Sequence, residues 1–209
     1  MSDLTETVPY NVDVVFTPAA RQAQAARGSD KLYEKRIAKG FPDTITPELA
    51  AYVAERDTAF LATVSAAGAP YIQHRGGPKG FIKVINDRTL GFADYAGNKQ
   101  YITISNLAGN DRAYLFLLDF AHRQRIKLWG RARVVENDAA LCAKLADLGY
   151  RAKPERAILF TIQAWDVNCS QHITERFTTE EVAGAVSGLR ERLAQLEAEN
   201  AQLRSVLGR

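Results

Sequence analysis

The chain has 209 residues, of which 46% are hydrophobic and 24% charged, and its formal net charge is +3. This composition is ordinary for one globular domain with appendages, and the charge is too small to favour nucleic acid as a partner. No apolar run is long enough to span a bilayer, and the N-terminus lacks the features of a secretory signal. Two cysteines are too few for a disulfide framework, so we expect a cytoplasmic protein.

Residues 1–56 are predicted to form an N-terminal helical arm. One helix is expected to begin at Pro18, which suits a first turn, and to stop at Gly28. Another is expected after Thr46, because Thr46 is a good N-cap and Pro47 a good first residue.

Residues 57–177 show the period-two pattern of β-strands. Strands are predicted over residues 59–65, 70–75, 80–85, 89–93, 112–120, 124–135 and 157–165, with a hairpin turn at Ala67-Gly68. Helices are predicted over residues 98–106 and 138–148, the second capped by Asp138 and closed by Gly149. Many short antiparallel strands with few helices predict a mainly β (α+β) barrel or sandwich.

Residues 178–209 carry a heptad pattern. Position a holds Val186, Leu193, Asn200 and Leu207, and position d holds Val182, Leu189, Leu196 and Leu203. One amphipathic helix folded onto its own barrel would give the same pattern. Leucine at d, the lone Asn200 at a, and attractive g–e′ pairs of Arg192 with Glu197 and of Glu199 with Arg204 favour a parallel two-stranded coiled coil.

Two polar segments combine cations with glycine. In the first, Gln73-His-Arg-Gly-Gly-Pro-Lys-Gly80, cations surround a Gly-Gly pair that would let a phosphate approach the backbone. It is not a Walker loop, because no Ser or Thr follows Lys79, and a solvated loop explains it equally well. In the second, Asn98 and Lys99 are expected at a helix start, where phosphate binding and ordinary capping are compatible.

The strand over residues 124–135 places cations on one face. Its exposed set is predicted to be Arg125, Lys127, Trp129, Arg131 and Arg133. A solvated face explains Arg131 and Arg133, whereas Arg125 near the strand start is the better ligand candidate.

A polar cluster follows the last strand and contains Cys169 and His172. Two ligands do not make a zinc site, so no metal is expected. No acid and base accompany a cysteine by spacing, so no catalytic residue is assigned.

The order of these segments, with Asp-Tyr-Ala-Gly-Asn-Lys before a helix and then Arg-Gln-Arg-Ile-Lys-Leu-Trp-Gly, resembles the pyridoxamine 5′-phosphate oxidase-related family of FMN-binding split barrels over about residues 59–172. The resemblance implies a homodimer with FMN in the groove between its subunits. It implies cofactor contacts at Gln73, His74, Arg75, Gly76, Lys79, Asp94, Tyr95, Asn98, Lys99, Arg125, Asn168, Gln171 and His172.

Two departures separate this chain from the true pyridoxamine phosphate oxidases. Those chains end in a basic segment that binds substrate, whereas this one ends in heptads, and Gln73 replaces the usual arginine of the second strand. Vitamin B6 phosphate is therefore not the expected substrate.

Three functions are compatible with the sequence. The first is an FMN-dependent oxidoreductase acting on an unidentified small molecule, since the flavin itself carries the chemistry. The second is a carrier or sensor that binds flavin or haem without turnover, and a deazaflavin is a further possible cofactor. The third is a structural coiled-coil dimer with a vestigial barrel.

Overall fold

The computed structural model describes residues 11–147, 149–168 and 170–208, with Asn168 described by its backbone alone. The chain divides into two compact units. Of the described residues, the first unit comprises those up to 119 together with those within 124–170, and the second comprises 120–123 together with those from 171 onward. None of the described helices combines the length and apolarity that a membrane span requires.

Among the described residues, four helices precede the sheet: α1 (Val12–Val15), α2 (Pro18–Ala26), α3 (Asp30–Lys39) and α4 (Pro47–Ala54). The two predicted helices of this arm are confirmed. Thr17 and Thr46 cap α2 and α4 through hydrogen bonds that their hydroxyl oxygens accept from the third helical residue, and each helix has proline at its first position. The arm also contains α1 and α3, which were not predicted.

The seven strands are β1 (Thr58–Val64), β2 (Pro70–Gly76), β3 (Lys83–Val84), β4 (Thr89–Tyr95), β5 (Arg112–Asp119), β6 (Gln124–Val135) and β7 (Pro154–Asn168). They form one antiparallel sheet in the order β2-β1-β5-β6-β7-β4-β3. Ala67-Gly68 supplies the turn between β1 and β2, and Gly68 takes a φ of +86°. The predicted third strand shrinks to two residues, because Phe81 and Ile82 are buried outside any ladder.

Side-chain contacts bring the two ends of the sheet together. Strand β2 is first in the order and β4 is sixth, yet Arg75 on β2 forms an ion pair with Asp94 on β4 at 2.5 Å. A sheet whose edges meet through side chains instead of a continuous ladder is a split barrel, as predicted. The interior is filled by alternate residues of the strands, among them Leu61, Leu115, Leu128 and Phe160, all fully buried.

The part of the chain that the structure describes contains three further helices: α5 (Ile102–Gly109), α6 (Ala139–Leu145) and α7 (Thr179–Val206). The side chain of Asp138 caps α6 as predicted, accepting a hydrogen bond from the backbone N–H of Leu141. The predicted end of α6 was too late, since the helix stops at Leu145, and Leu148 lies outside the described residues. In the second unit, α7 begins at a capping box formed by Thr178 and Glu181.

Candidate functional site

A small polar cleft lies where β2, β4, β7 and the loop before α5 meet. At its centre the carboxylate of Asp94 binds two guanidiniums, with Oδ1 2.5 Å from Nη1 of Arg75 and Oδ2 3.1 Å from Nη1 of Arg156. Asp94 and Arg156 are directly opposite each other on paired strands. All three side chains are at least 86% buried, so this network is fixed in place by its surroundings.

Gln73 connects the network to α5. Its side-chain oxygen accepts hydrogen bonds from Nη2 of Arg75 at 3.0 Å and from the hydroxyl of Thr103 at 2.9 Å. Gln73 and Arg75 are two residues apart on β2 and therefore share one face of the strand. Glutamine at position 73 thus orients the arginine through an acceptor, which a second arginine there could not supply.

The loop between β4 and α5 forms the rim of the cleft. Helix α5 begins at Ile102, so the predicted start at Asn98 is wrong. The physical reason is local: the Asn98 side chain accepts a hydrogen bond from the N–H of Gln100 at 3.1 Å, which closes a turn before the helix. Lys99 and Tyr101 then adopt left-handed backbone conformations, with φ of 58° and 55°.

The N-terminus of α5 opens on the cleft. The cleft is lined by the first three residues of the helix, Ile102, Thr103 and Ile104. The N-cap residue, Tyr101, makes no capping hydrogen bond with its side chain. Their backbone N–H groups have no acceptors within the helix, and the helix dipole adds partial positive charge at this end. The N-terminus therefore suits an anion even though it lies three residues beyond the predicted position.

The cations and donors of the cleft fit one phosphate group. Three cations, Arg75, Lys99 and Arg156, line it against two carboxylates, Asp94 and Glu155. Within the described part of the chain, no carboxylate forms an ion pair with Lys99, and Nε of Arg75 is buried without an acceptor. The open cleft has a volume of about 60 Å³, which is room for a phosphate and far less than a site for a whole cofactor occupies.

The structure brings together six of the predicted site residues and separates others from them. Gln73, Arg75, Asp94, Tyr95, Asn98 and Lys99 all line the cleft. His74 lies on the opposite face of β2, with its ring 5.7 Å from that of Phe60. Gly76 lies beside that imidazole, and Lys79 lies on the β2–β3 loop, where its ammonium is 3.7 Å from a carboxylate oxygen of Glu55.

Arg125 lies outside the cleft, on the outer face of β6. Its Nε is buried and has no acceptor among the described residues. Near it, burial raises the pKa of Tyr114 and lowers the pKa of Lys127. Arg131 and Arg133 are exposed on the same face, in agreement with a solvated role for these two. Arg125 and Lys127 are therefore the two half-buried cations of this strand face.

The predicted residues at the end of β7 and after it fall into different parts of the chain. Asn168 is opposite Arg125 in the ladder between β6 and β7. Gln171 and His172 belong to the second compact unit, and His172 has a φ of 63°. Cys169 lies outside the described residues. The described residues contain no cluster of three or more His, Cys, Asp or Glu side chains suited to a metal ion.

Sequence reasoning missed Thr103 and Arg156 in the cleft. Arg156 could not be identified from the sequence, because its role depends on a contact with Asp94, which lies 62 residues earlier in the chain. Thr103 was assigned to a helix, but the helix start was misplaced. An opposite-charge pair on adjacent strands is a usable signal only once the strand order is known.

A larger groove of about 790 Å³ lies between the N-terminal arm and strands β5–β7. Its lining combines the aromatic side chains of Phe41 and Trp129 with the cations Arg88 and Arg112. It shares no lining residue with the cleft and contains none of the predicted site residues.

Comparison with known proteins gives one family match. The family model for pyridoxamine 5′-phosphate oxidase matches residues 45–169, a range that contains all seven strands. No curated protein matches the chain. Among solved structures, HupZ from Group A Streptococcus is 18% identical, with a TM-score of 0.49 over 64% of this chain and 99% of that chain. An FMN-binding protein from Syntrophomonas wolfei subsp. wolfei is 12% identical, with a TM-score of 0.47 over 71% of this chain and 97% of that one.

Proposed function

Because the chain belongs to the pyridoxamine 5′-phosphate oxidase family, we propose that it is an FMN-binding flavoprotein and an FMN-dependent oxidoreductase. The observation that carries this proposal is the phosphate-sized cleft. Lys99, Arg75 and the uncapped start of α5 line one small space, and each of these groups is a phosphate-binding element in its own right.

The size of the cleft restricts how FMN would bind. A space of about 60 Å³ takes the phosphate, whereas whole cofactors occupy sites of roughly 300–1,000 Å³. The ribityl chain and ring would therefore lie outside this cleft. We propose that a second copy of the chain provides the remaining wall, so that a homodimer carries FMN between its subunits.

The bound flavin would supply the hydride or electron transfer. The chain itself would anchor the phosphate and orient the ring. Arg75 is suited to anchoring, because Asp94 and Gln73 hold its guanidinium from two sides and leave its Nε without an acceptor. The substrate is proposed to be a small molecule other than vitamin B6 phosphate, in keeping with glutamine at position 73.

The direct test is to purify the protein, denature it and identify the released chromophore by mass. FMN in about one equivalent per chain supports the proposal. Haem, a deazaflavin or a colourless protein that ignores added FMN contradicts the cofactor assignment.

The position of the phosphate is tested by charge reversal. Lys99→Glu should abolish FMN retention while the barrel stays folded, because it places a carboxylate beside the phosphate. Lys35→Glu, a reversal of an exposed lysine on α3, should leave flavin content unchanged. Normal flavin content in Lys99→Glu would show that the phosphate binds elsewhere.

Turnover is tested separately from binding. A flavin absorbance that bleaches under NAD(P)H and recovers in air supports an oxidoreductase. A flavin that dithionite bleaches but that no pyridine nucleotide or candidate donor reduces supports a carrier instead.

A further inference from the structure

Helix α7 exposes its apolar stripe along its whole length. The helix has 28 residues, and none of them is buried. Among the heptad leucines the exposed fraction is 71% at Leu189, 57% at Leu193, 40% at Leu196 and 54% at Leu203. Within the described part of the second unit, no other element covers this stripe.

Such a helix needs a partner to be stable in water. Isolated helices gain little from propensity alone, and most helical stability in proteins comes from packing an apolar face. Gly184 and Gly188 weaken the first half further, since glycine costs about 1 kcal/mol relative to alanine in a helix interior. A surface that packs on the apolar stripe must therefore supply the free energy that stabilises the helix.

We propose that this surface is α7 of a second copy of the chain, in a parallel and in-register coiled coil. The heptads alternate between positions a and d from Val182 to Leu207. In the parallel register Arg192 at g meets Glu197 at e′, and Glu199 at g meets Arg204 at e′. Every charged g–e′ pair of the coil is then attractive in both directions across the twofold axis.

Asn200 selects the parallel arrangement over the antiparallel one. In a parallel register the two Asn200 side chains face each other at one a layer and can hydrogen-bond. In an antiparallel pair, a positions meet d′ positions, so each amide would be packed against an apolar side chain without a partner. The single polar layer therefore stabilises one register and penalises the alternatives.

Cysteine crosslinking in the full-length chain tests the register. Leu207→Cys places two thiols at the last a layer, within the Cα separation of about 4.4–6.8 Å that a disulfide needs. Ser205→Cys is the matched control, because position f faces outward and the two f residues are about 20 Å apart across two helix diameters. Under mild oxidation we expect Leu207→Cys to crosslink roughly tenfold faster than Ser205→Cys, because the coil raises its effective concentration.

Charge reversal tests the pairing in the same background. Glu197→Arg should lower the crosslinking rate of Leu207→Cys, and adding Arg192→Glu should restore it. Equal crosslinking at positions 205 and 207, a monomer in solution, or no effect of Glu197→Arg would overturn the proposal. Crosslinking does not depend on bound flavin, so this experiment tests the coiled coil independently of the proposed function.

Discussion

Asp94 is the residue on which the cleft depends. Its carboxylate holds Arg75 and Arg156, and the side chains of all three are at least 86% buried. Removing one partner from a buried ionic network leaves charge uncompensated, at a cost of about 3–5 kcal/mol. The carboxylate is therefore expected to contribute to folding as well as to the orientation of Arg75.

We predict that Asp94→Asn lowers the free energy of unfolding by about 3 kcal/mol, since two guanidiniums would then face a neutral amide. The matched control is Asp111→Asn, which breaks the exposed pair of Asp111 with Arg131 at 2.6 Å and should cost less than about 1 kcal/mol. Urea unfolding followed by tryptophan fluorescence measures both. Similar losses in the two variants would mean that the cleft network contributes no more than a surface ion pair.

At the scale of the elements, the hairpins were predictable and the cleft loop was not. Alternation identified β1, β2, β5 and β6 to within about a residue, because the more buried and the less buried residues alternate along each of them. The start of α5 was misplaced, because Asn98 is equally typical of a helix cap and of the turn it forms here. The contact of Arg75 with Asp94 depends on the closure of the barrel, which local pattern does not encode.

Substitution of alanine for glycine should have opposite effects on thermal stability at two positions in different elements. An added Cβ would meet nothing within 4 Å at either Gly68 or Gly188. Gly68 has a φ of +86° in the β1–β2 turn, so Gly68→Ala should destabilise the barrel by about 1 kcal/mol. Gly188 is helical in α7, so Gly188→Ala should raise the midpoint of helix melting through a gain of about 1 kcal/mol. Thermal unfolding followed by circular dichroism measures the midpoint of each variant. If both midpoints shift in the same direction, the backbone conformation given above for one of the two glycines is wrong.

For the whole molecule, the two proposals involve different surfaces of the chain. We propose that the cleft binds one end of a cofactor and that α7 binds a second copy of the chain. A parallel coil has twofold symmetry, which is also the symmetry of most homodimers. We propose that one and the same dimer covers the apolar stripe and completes the proposed cofactor site.

Arg125 provides a test of the proposed arrangement of the whole dimer. It is half-buried on β6 and lies outside the cleft, so in the proposed dimer it would reach a flavin ring only across the groove between the two subunits. If it does, its positive charge stabilises the negative charge that the ring gains on reduction. Arg125→Ala should then lower the flavin reduction potential, by about 30 mV for each 1.4 kcal/mol of interaction lost in a two-electron couple.

Arg133 is the matched control for this prediction, because it lies on the same strand face and is exposed. Arg133→Ala should leave the potential unchanged, which separates a local effect at the ring from a general loss of positive charge. Spectroelectrochemical titration of the FMN-loaded variants measures both potentials. An unchanged potential in Arg125→Ala would place the ring away from this face of β6, and the dimer would then have to be assembled around a different groove.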